Sequence, residues 1–306
     1  MMAKSTRLVL ASLLLVGAAC ARQESTSAPA PGLRIVVMAP SAAEMLGALG
    51  LSEQVVGIGD FVSEPRQLAK LPRIGAFDAP NLESVLALHA THFVTARQVA
   101  GSASLAKLRA LGIQVIELDT STFDGTLLAM KSLGAELGAG DRAAALVHTI
   151  ENQVAEVRRR SLGALRKRVL FAVGREPLYV AGPGSHIDAL IRAAGGENIA
   201  ADATSPYPQV SLEAMLARRP EVILDSADNR PGLPLGRELG AWAQWPFLPA
   251  VAERRVYALD PACISVPGPR LGEMAQLMAK LVHPEIFGEA TAEELGPPRE
   301  ASPVTR

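Results

Sequence analysis

The sequence predicts an α/β protein of two three-layer α/β/α lobes with mainly parallel sheets, joined by one long helix, with a ligand cleft between the lobes. Three observations predict it. Short apolar strands alternate with amphipathic helices, the pattern of parallel sheets covered on both faces. A long helical pattern beginning at Asp141 interrupts that alternation, which restarts beyond it. Finally, Leu82-Glu83-x-x-Leu86-Ala87 recurs as Leu212-Glu213-x-x-Leu216-Ala217, a constant shift of 130 residues.

The elements follow in order. Lys4 and Arg7 precede an apolar run, Leu8–Val16, and Gly17-Ala18-Ala19-Cys20 closes the segment. The run falls well short of the ~20 apolar residues that cross a bilayer, so residues 1–20 read as an export signal. The small residues before Cys20 resemble a bacterial lipoprotein cleavage site, where the cysteine becomes the first residue and carries lipid. Residues 21–32 are rich in Ser, Thr, Ala, Gln and Pro and read as a flexible tether.

Residues 33–140 form the N-terminal lobe. Arg34–Met38 is a strand, and Ser41 caps a helix through Leu49. Val55–Ile58 is a second strand. Asn81 caps a helix that leads into a strand at His92–Thr95, Leu105–Leu111 is a helix, and Gln114–Leu118 is a strand. Residues 141–167 are the interlobe helix, with Ala145, Ile150, Val154 and Val157 on or near one face. A stiff helix as the crossing predicts small lobe motions. Residues 168–289 form the C-terminal lobe, opening on the strand Arg168–Val173. Residues 290–306 contain Pro297, Pro298 and Pro303 without apolar periodicity, and are expected to be disordered.

Composition excludes several classes of function. The formal net charge is −1 over 306 residues, so no basic bias points to nucleic acid. With Cys20 lipidated, Cys263 has no partner and no disulfide framework follows. There is no Walker loop and no paired catalytic carboxylate pattern, and Ser185, His186 and Asp188 are too close together to form a triad on one turn. The chain reads as a non-enzyme without a cofactor. His89 and His92 have a spacing that can hold a metal on a helix, but they straddle a helix end and a strand start, and no metal site is assigned.

The shift of 130 holds through cap, helix and strand: Asn81 and Ser211 precede the two copies, and Phe93-Val94 match Ile223-Leu224. Two related lobes follow. Six stretches, in this order, carry a resemblance: Arg34-Ile-Val-Val-Met-Ala-Pro-Ser-Ala-Ala-Glu44, Asn81-Leu-Glu-Ser-Val-Leu-Ala-Leu88, Leu108-x-x-Leu-Gly-Ile-x-Val115, Gly195-Gly-Glu-Asn-Ile199, Tyr207-Pro-Gln-Val-Ser-Leu-Glu213 and Pro267-Gly-Pro-Arg270. From about Arg34 to Phe287 the chain resembles the helical-backbone class of periplasmic solute-binding proteins, which deliver to ABC importers. It is most similar to the cobalamin-binding proteins, with siderophore and haem binders as cousins. The resemblance implies a small-molecule ligand held between the lobes, a membrane permease as partner, a monomer, and residence at the periplasmic face of a bacterial membrane, lipid-anchored through Cys20.

Open α/β sheets bind ligands beyond the carboxyl ends of their strands. Those ends, Pro40–Ser41, Gly59–Phe61, Gly174–Arg175 and Asp260–Cys263, are expected at the cleft, with Pro40, Ser41, Phe61 and Cys263 as ligand contacts. Phe77 and Tyr207 precede the two matching helices, where the resembled cobalamin binders carry aromatics, usually Trp. In the segment Tyr179–His186, Gly184, Ser185 and a helix start direct N–H groups and a hydroxyl towards the cleft, with His186 beside them. Arg270, after Pro267-Gly-Pro269, is open between touching the ligand and bracing its loop. Trp242 and Trp245 read as packing. Glu83 and Glu213 stand in first helical turns, where a carboxylate gains about 0.3–1 kcal/mol from the macrodipole; in the resembled family the matching glutamates dock into arginine pockets on the transporter. A corrinoid leads as ligand, ahead of haem, an iron-siderophore, or a metal ion held by His89, His92, His148 and His186. A docking lipoprotein with a vestigial cleft is a further alternative.

Overall fold

A computed structural model of the chain describes residues 32–76, 79–97, 103–227, 236–237 and 239–295, without the side chains of residues 236, 262 and 263. The expected signal, tether, Cys20 and Phe77 lie outside the described residues.

The N-terminal lobe carries β1 (Ile35–Val37), β2 (Val55–Ile58), a short antiparallel ribbon of β3 (Gly75–Ala76) and β4 (Ala79–Pro80), β5 (His92–Ala96) and β6 (Gln114–Leu118). Its main sheet is parallel throughout, in the order β2-β1-β5-β6. The helices are α1 (Pro40–Ala48), α2 (Leu82–Ala87), α3 (Ala103–Ala110) and α4 (Phe123–Glu136). Helix α5 (Gly140–Arg160) then leads into the C-terminal lobe.

That lobe contains β7 (Lys167–Arg175), β8 (Leu178–Val180), α6 (His186–Ala193), β9 (Gly196–Asn198), α7 (Leu212–Arg218), β10 (Val222–Asp225), β11 (Gly236–Arg237), α8 (Pro249–Ala252), β12 (Val256–Ala258), α9 (Pro261–Ile264), α10 (Leu271–Val282), α11 (Pro284–Phe287) and α12 (Ala292–Leu295). Its parallel strands run β9-β7-β10-β12, the order of the first lobe, and antiparallel β8 and β11 extend the sheet. The shift of 130 is therefore structural: β5 and β10 hold equivalent places, and Val85 and Met215, one shift apart, are both fully buried under their helices.

Side chains of a strand alternate between faces, and both faces of these sheets are covered. Ile35, Val37, Val94, Val169, Phe171 and Leu224 join one core that runs through both lobes along α5. Val36 and Phe93 pack in a second core confined to the first lobe, and Leu170 and Ile223 in a third confined to the second. Close helix packing around α5 relies on small residues: a Cβ on Gly134 would collide with Ala143, and one on Gly272 with Gln153.

Three local features depart from the sequence reading. Pro40, not Ser41, opens α1: proline presets φ for the first helical position, and Ser41 lies buried within the first turn instead of capping it. Helix α4 was not anticipated and forms a helical hairpin with α5. The segment expected to be disordered from Ala290 begins with α12, whose Leu295 is buried and whose Glu294 pairs with Lys280 while accepting hydrogen bonds from Thr291.

Candidate functional site

Between the lobes lies a cavity of about 550 Å³. The first lobe supplies the carboxyl ends of three parallel strands: Met38–Ser41 after β1, Thr95 and Ala96 of β5, and Thr120 and Ser121 after β6. The second supplies His186 at the start of α6, Pro206 and Tyr207, and the loop Ser265–Pro267. Among the described residues no lining side chain carries a formal charge at neutral pH. The walls are apolar, punctuated by hydroxyl groups and two rings.

His186 is buried, and its Nε2 lies 3.2 Å from the Ile264 carbonyl oxygen. A carbonyl only accepts, so Nε2 carries the proton and Nδ1 remains an acceptor. Burial pushes the imidazole below its ordinary value of 6.5, against the smaller raising effect of that carbonyl. Tyr207 is 39 % exposed and lines the cleft. Burial of its hydroxyl end raises the phenol, so at neutral pH it offers a ring and an O–H rather than a phenolate.

The cavity thus brings together Pro40, Ser41, His186 and Tyr207 of the expected set. Phe61 follows β2 on the same edge but stays 60 % exposed outside the lining. Gly184 and Ser185 do not face the cleft, contrary to expectation. They line a separate groove of about 870 Å³ between α4, α5 and α6. The Ser185 hydroxyl is already committed: it accepts from the Asp188 N–H at 3.1 Å, capping α6, and donates to the Gly182 carbonyl at 2.8 Å. Cys263 belongs to α9, next to the lining loop, with its side chain outside the described residues.

Arg270 braces rather than lines. Its guanidinium forms a two-pronged ion pair with Glu44 of α1, at 2.9 and 3.1 Å, joining residues 226 apart in sequence and on different lobes. The preceding loop lies against α1 as well, since a Cβ on Gly268 would sit 3.6 Å from the Glu44 carboxylate. This clasp ties the lobes together beside the cleft.

The strand-end hydroxyls Thr95, Thr120 and Ser121, and Ser265, were missed in the sequence. The signal available was positional: two of the strands they follow, His92–Thr95 and Gln114–Leu118, are legible, and cleft residues begin where such strands stop. The end of β7 behaves differently. Arg175 pairs with buried Asp225 at 2.8 Å and faces another cavity, of about 400 Å³, beside Trp242 and Trp245. Trp242 is buried there, donating to Asp225 at 2.6 Å, and packs on Trp245 with ring centroids 5.7 Å apart.

The histidines do not converge. His148 is on an exposed face of α5, bonded to Asn152; His92 stands at the start of β5, bonded to Thr91 and remote from the cleft edge; His89 ends the α2 turn with φ of 49°. No group of three metal-ligating side chains is assembled among the described residues. Glu83 and Glu213 are both exposed in the first turns of α2 and α7, directly after the capping residues Asn81 and Ser211. Hydrogen bonds from its own backbone N–H and from the Ser211 hydroxyl hold the Glu213 carboxyl below the usual carboxylate range.

Two lobes of one strand order, joined by a long helix and enclosing a cleft at their strand ends, define a two-lobed binding protein. Known proteins share this architecture. A vitamin B12-binding protein of Vibrio cholerae is 29 % identical over 245 residues, spanning 79 % of this chain and 86 % of that protein. The crystal structure of a periplasmic vitamin B12 binding protein of Vibrio cholerae aligns with a TM-score of 0.69 at 25 % identity, covering 82 % of this chain and 96 % of that one. A periplasmic haem binding protein of the same organism aligns with a TM-score of 0.72 at 25 % identity, covering 82 % and 99 %. Residues 35–263 match the periplasmic binding protein family. The chain belongs to that family. Among the described residues no helix is long and apolar enough to cross a membrane.

Proposed function

We propose that the chain captures a corrinoid in the interlobe cleft and delivers it to an ABC importer. The observation that carries this reading is the uncharged lining. A bare metal ion calls for carboxylate, thiolate or imidazole ligands in number, haem brings two carboxylates that a cleft would meet with cations, and ferric siderophores are commonly anionic. A corrinoid presents a broad flat ring with neutral amide arms. Apolar walls and the Tyr207 face suit the ring, and Ser41, Thr95, Thr120, Ser121 and Ser265 suit the amides. Titration of the purified protein with cyanocobalamin and, separately, haemin, followed by calorimetry and absorbance, tests this. Tight haemin binding with no corrinoid heat would overturn it.

That outcome is the second reading, and one observation favours it: His186, whose imidazole is of the kind that ligates a metal at the centre of a macrocycle, lines the cleft, and haem-binding relatives are as similar in fold as the B12-binding ones. A metal shift in the absorbance spectrum, lost in His186→Ala, would distinguish it.

Delivery rests on Glu83 and Glu213, one per lobe, meeting cationic sockets on the permease. Such pairs couple by roughly 1.5–7 kcal/mol when desolvated, against less than about 1 kcal/mol when exposed. The double variant Glu83→Ala/Glu213→Ala is expected to bind ligand normally and to lose uptake; normal uptake in intact cells would remove the docking role. Anchoring through Cys20 belongs to the same proposal. Metabolic labelling with a fatty acid is expected to mark the protein and to fail in Cys20→Ser.

A further inference from the structure

The pole of the C-terminal lobe opposite the cleft is strongly basic although the chain as a whole has a net charge of −1. Between the end of α5 and the start of β7, the eleven residues Arg158–Arg168 contain six cations and no acid. Arg159 is paired with Glu156, Arg168 with Glu221, and Arg160 is held over the Phe287 ring. Arg158, Arg166 and Lys167 have no hydrogen-bonded or ion-pair partner for their side chains among the described residues. Loops that enter β10 and β12 at this edge add exposed Arg219 and Arg254. Glu197, Glu253 and Glu285 are exposed carboxylates there as well, Glu285 being bonded to His283.

Two leucines accompany the charges. Leu162 and Leu165 are 76 % and 83 % exposed, the highest values among the described large apolar side chains. They flank Gly163, whose φ is +85° and around which a Cβ would meet nothing within 4 Å. The turn is therefore open on its outer side, while Arg158, Leu162 and Arg166 also wall the groove of about 870 Å³ beside α6. Two exposed leucines among unpaired cations fit an anionic surface with an apolar interior.

We infer that Arg158–Arg168 is a contact site for an anionic lipid bilayer, with Leu162 and Leu165 entering the interface and the unpaired cations meeting lipid phosphates. Polybasic segments gain attraction with each cation near such a surface, and exposed leucines add burial in the headgroup region. The site lies at the amino ends of the C-terminal strands and the cleft at the carboxyl ends. A protein resting on lipid through this pole keeps its cleft open and facing away.

The test places a reporter at the tip: Leu165→Trp in the full chain, mixed with vesicles of brominated phosphatidylcholine, alone or with phosphatidylglycerol. This readout follows the tip itself and is independent of any acyl chain on Cys20. The expected result is a blue shift and quenching of the new tryptophan with the anionic vesicles only, suppressed by high salt. Vesicle affinity of the reporter site falls about fivefold for each cation removed in Arg158→Gln, Arg166→Gln and Lys167→Gln, with an unchanged far-ultraviolet spectrum. Equal quenching in neutral vesicles, or none in anionic ones, overturns the inference.

Discussion

In the N-terminal lobe, the sheet β2-β1-β5-β6 ends at the cleft in hydroxyl groups, those of Ser41, Thr95, Thr120 and Ser121. In the C-terminal lobe, the same order β9-β7-β10-β12 is fronted by two rings, His186 and Tyr207, and by the loop Ser265–Pro267. The repeat thus conserves the scaffold and the outward glutamate but not the cleft surface. Interior positions are constrained by dense packing on both sheet faces. Loops at strand ends touch fewer neighbours and are free to diverge. One lobe has become a hydrogen-bonding wall and the other a ring-bearing wall.

The equivalence of the two interiors can be broken at matching sites. Phe93→Ala empties the core confined to the first lobe, and Ile223→Ala, one shift away, the core confined to the second. The losses are expected to be about 3–5 and 2–5 kcal/mol respectively. Because the largest core runs through both lobes along α5, each variant should still unfold in a single guanidinium transition. Two resolved transitions would show that the lobes are energetically separate.

The clasp tests how firmly the unlike walls are held together. Glu44→Ala removes both prongs of this pair from Arg270 in a partly buried place, at an expected cost of about 2 kcal/mol, between the exposed and buried limits for ion pairs. Glu44→Gln/Arg270→Gln should recover part of that loss. Equal midpoints for the single and double variants would mean that the pair does not act as a unit.

The ring wall itself is sharpened by Tyr207. Removing the ring in Tyr207→Ala is expected to weaken corrinoid binding by about 1.4 kcal/mol, roughly tenfold in Kd, whereas Tyr207→Phe stays near the parent. Equal losses in both variants would move the contribution from the ring to the hydroxyl.

The smallest effect concerns His186. Its folded-state value lies below the ordinary 6.5 because burial disfavours the charged ring. Between those two values the unfolded chain binds the proton more readily, so the stability contribution is complete above pH 6.5 and declines as pH falls towards the folded value. His92 is shifted in the same direction by burial. The difference between the parent and His186→Gln isolates the one ring. Unfolding midpoints of the two proteins should converge as pH is lowered; parallel pH profiles would mean that His186 is not titrating in that range.

What was legible in the sequence is local in origin. Alternating strands, helical faces and the caps Asn81 and Ser211 are encoded by neighbours a few residues apart, so periods of two and 3.6 reveal them. The shift of 130 added the relation between lobes, and with it the paired positions Val85 and Met215, Glu83 and Glu213. Helix α4 was readable on the same basis, since Leu127, Met130, Leu133 and Leu137 keep helical spacing and are all buried. Other features were settled only in three dimensions. Arg270 reached Glu44 because two lobes meet there; the hydroxyl wall formed because three separate strands end side by side. Local periodicity determines which residues build an element and which face is buried. Where a side chain at the end of that element points, and what it meets, depends on groups carried by other elements, 226 residues away for Arg270 and Glu44, and only the packed structure brings those together.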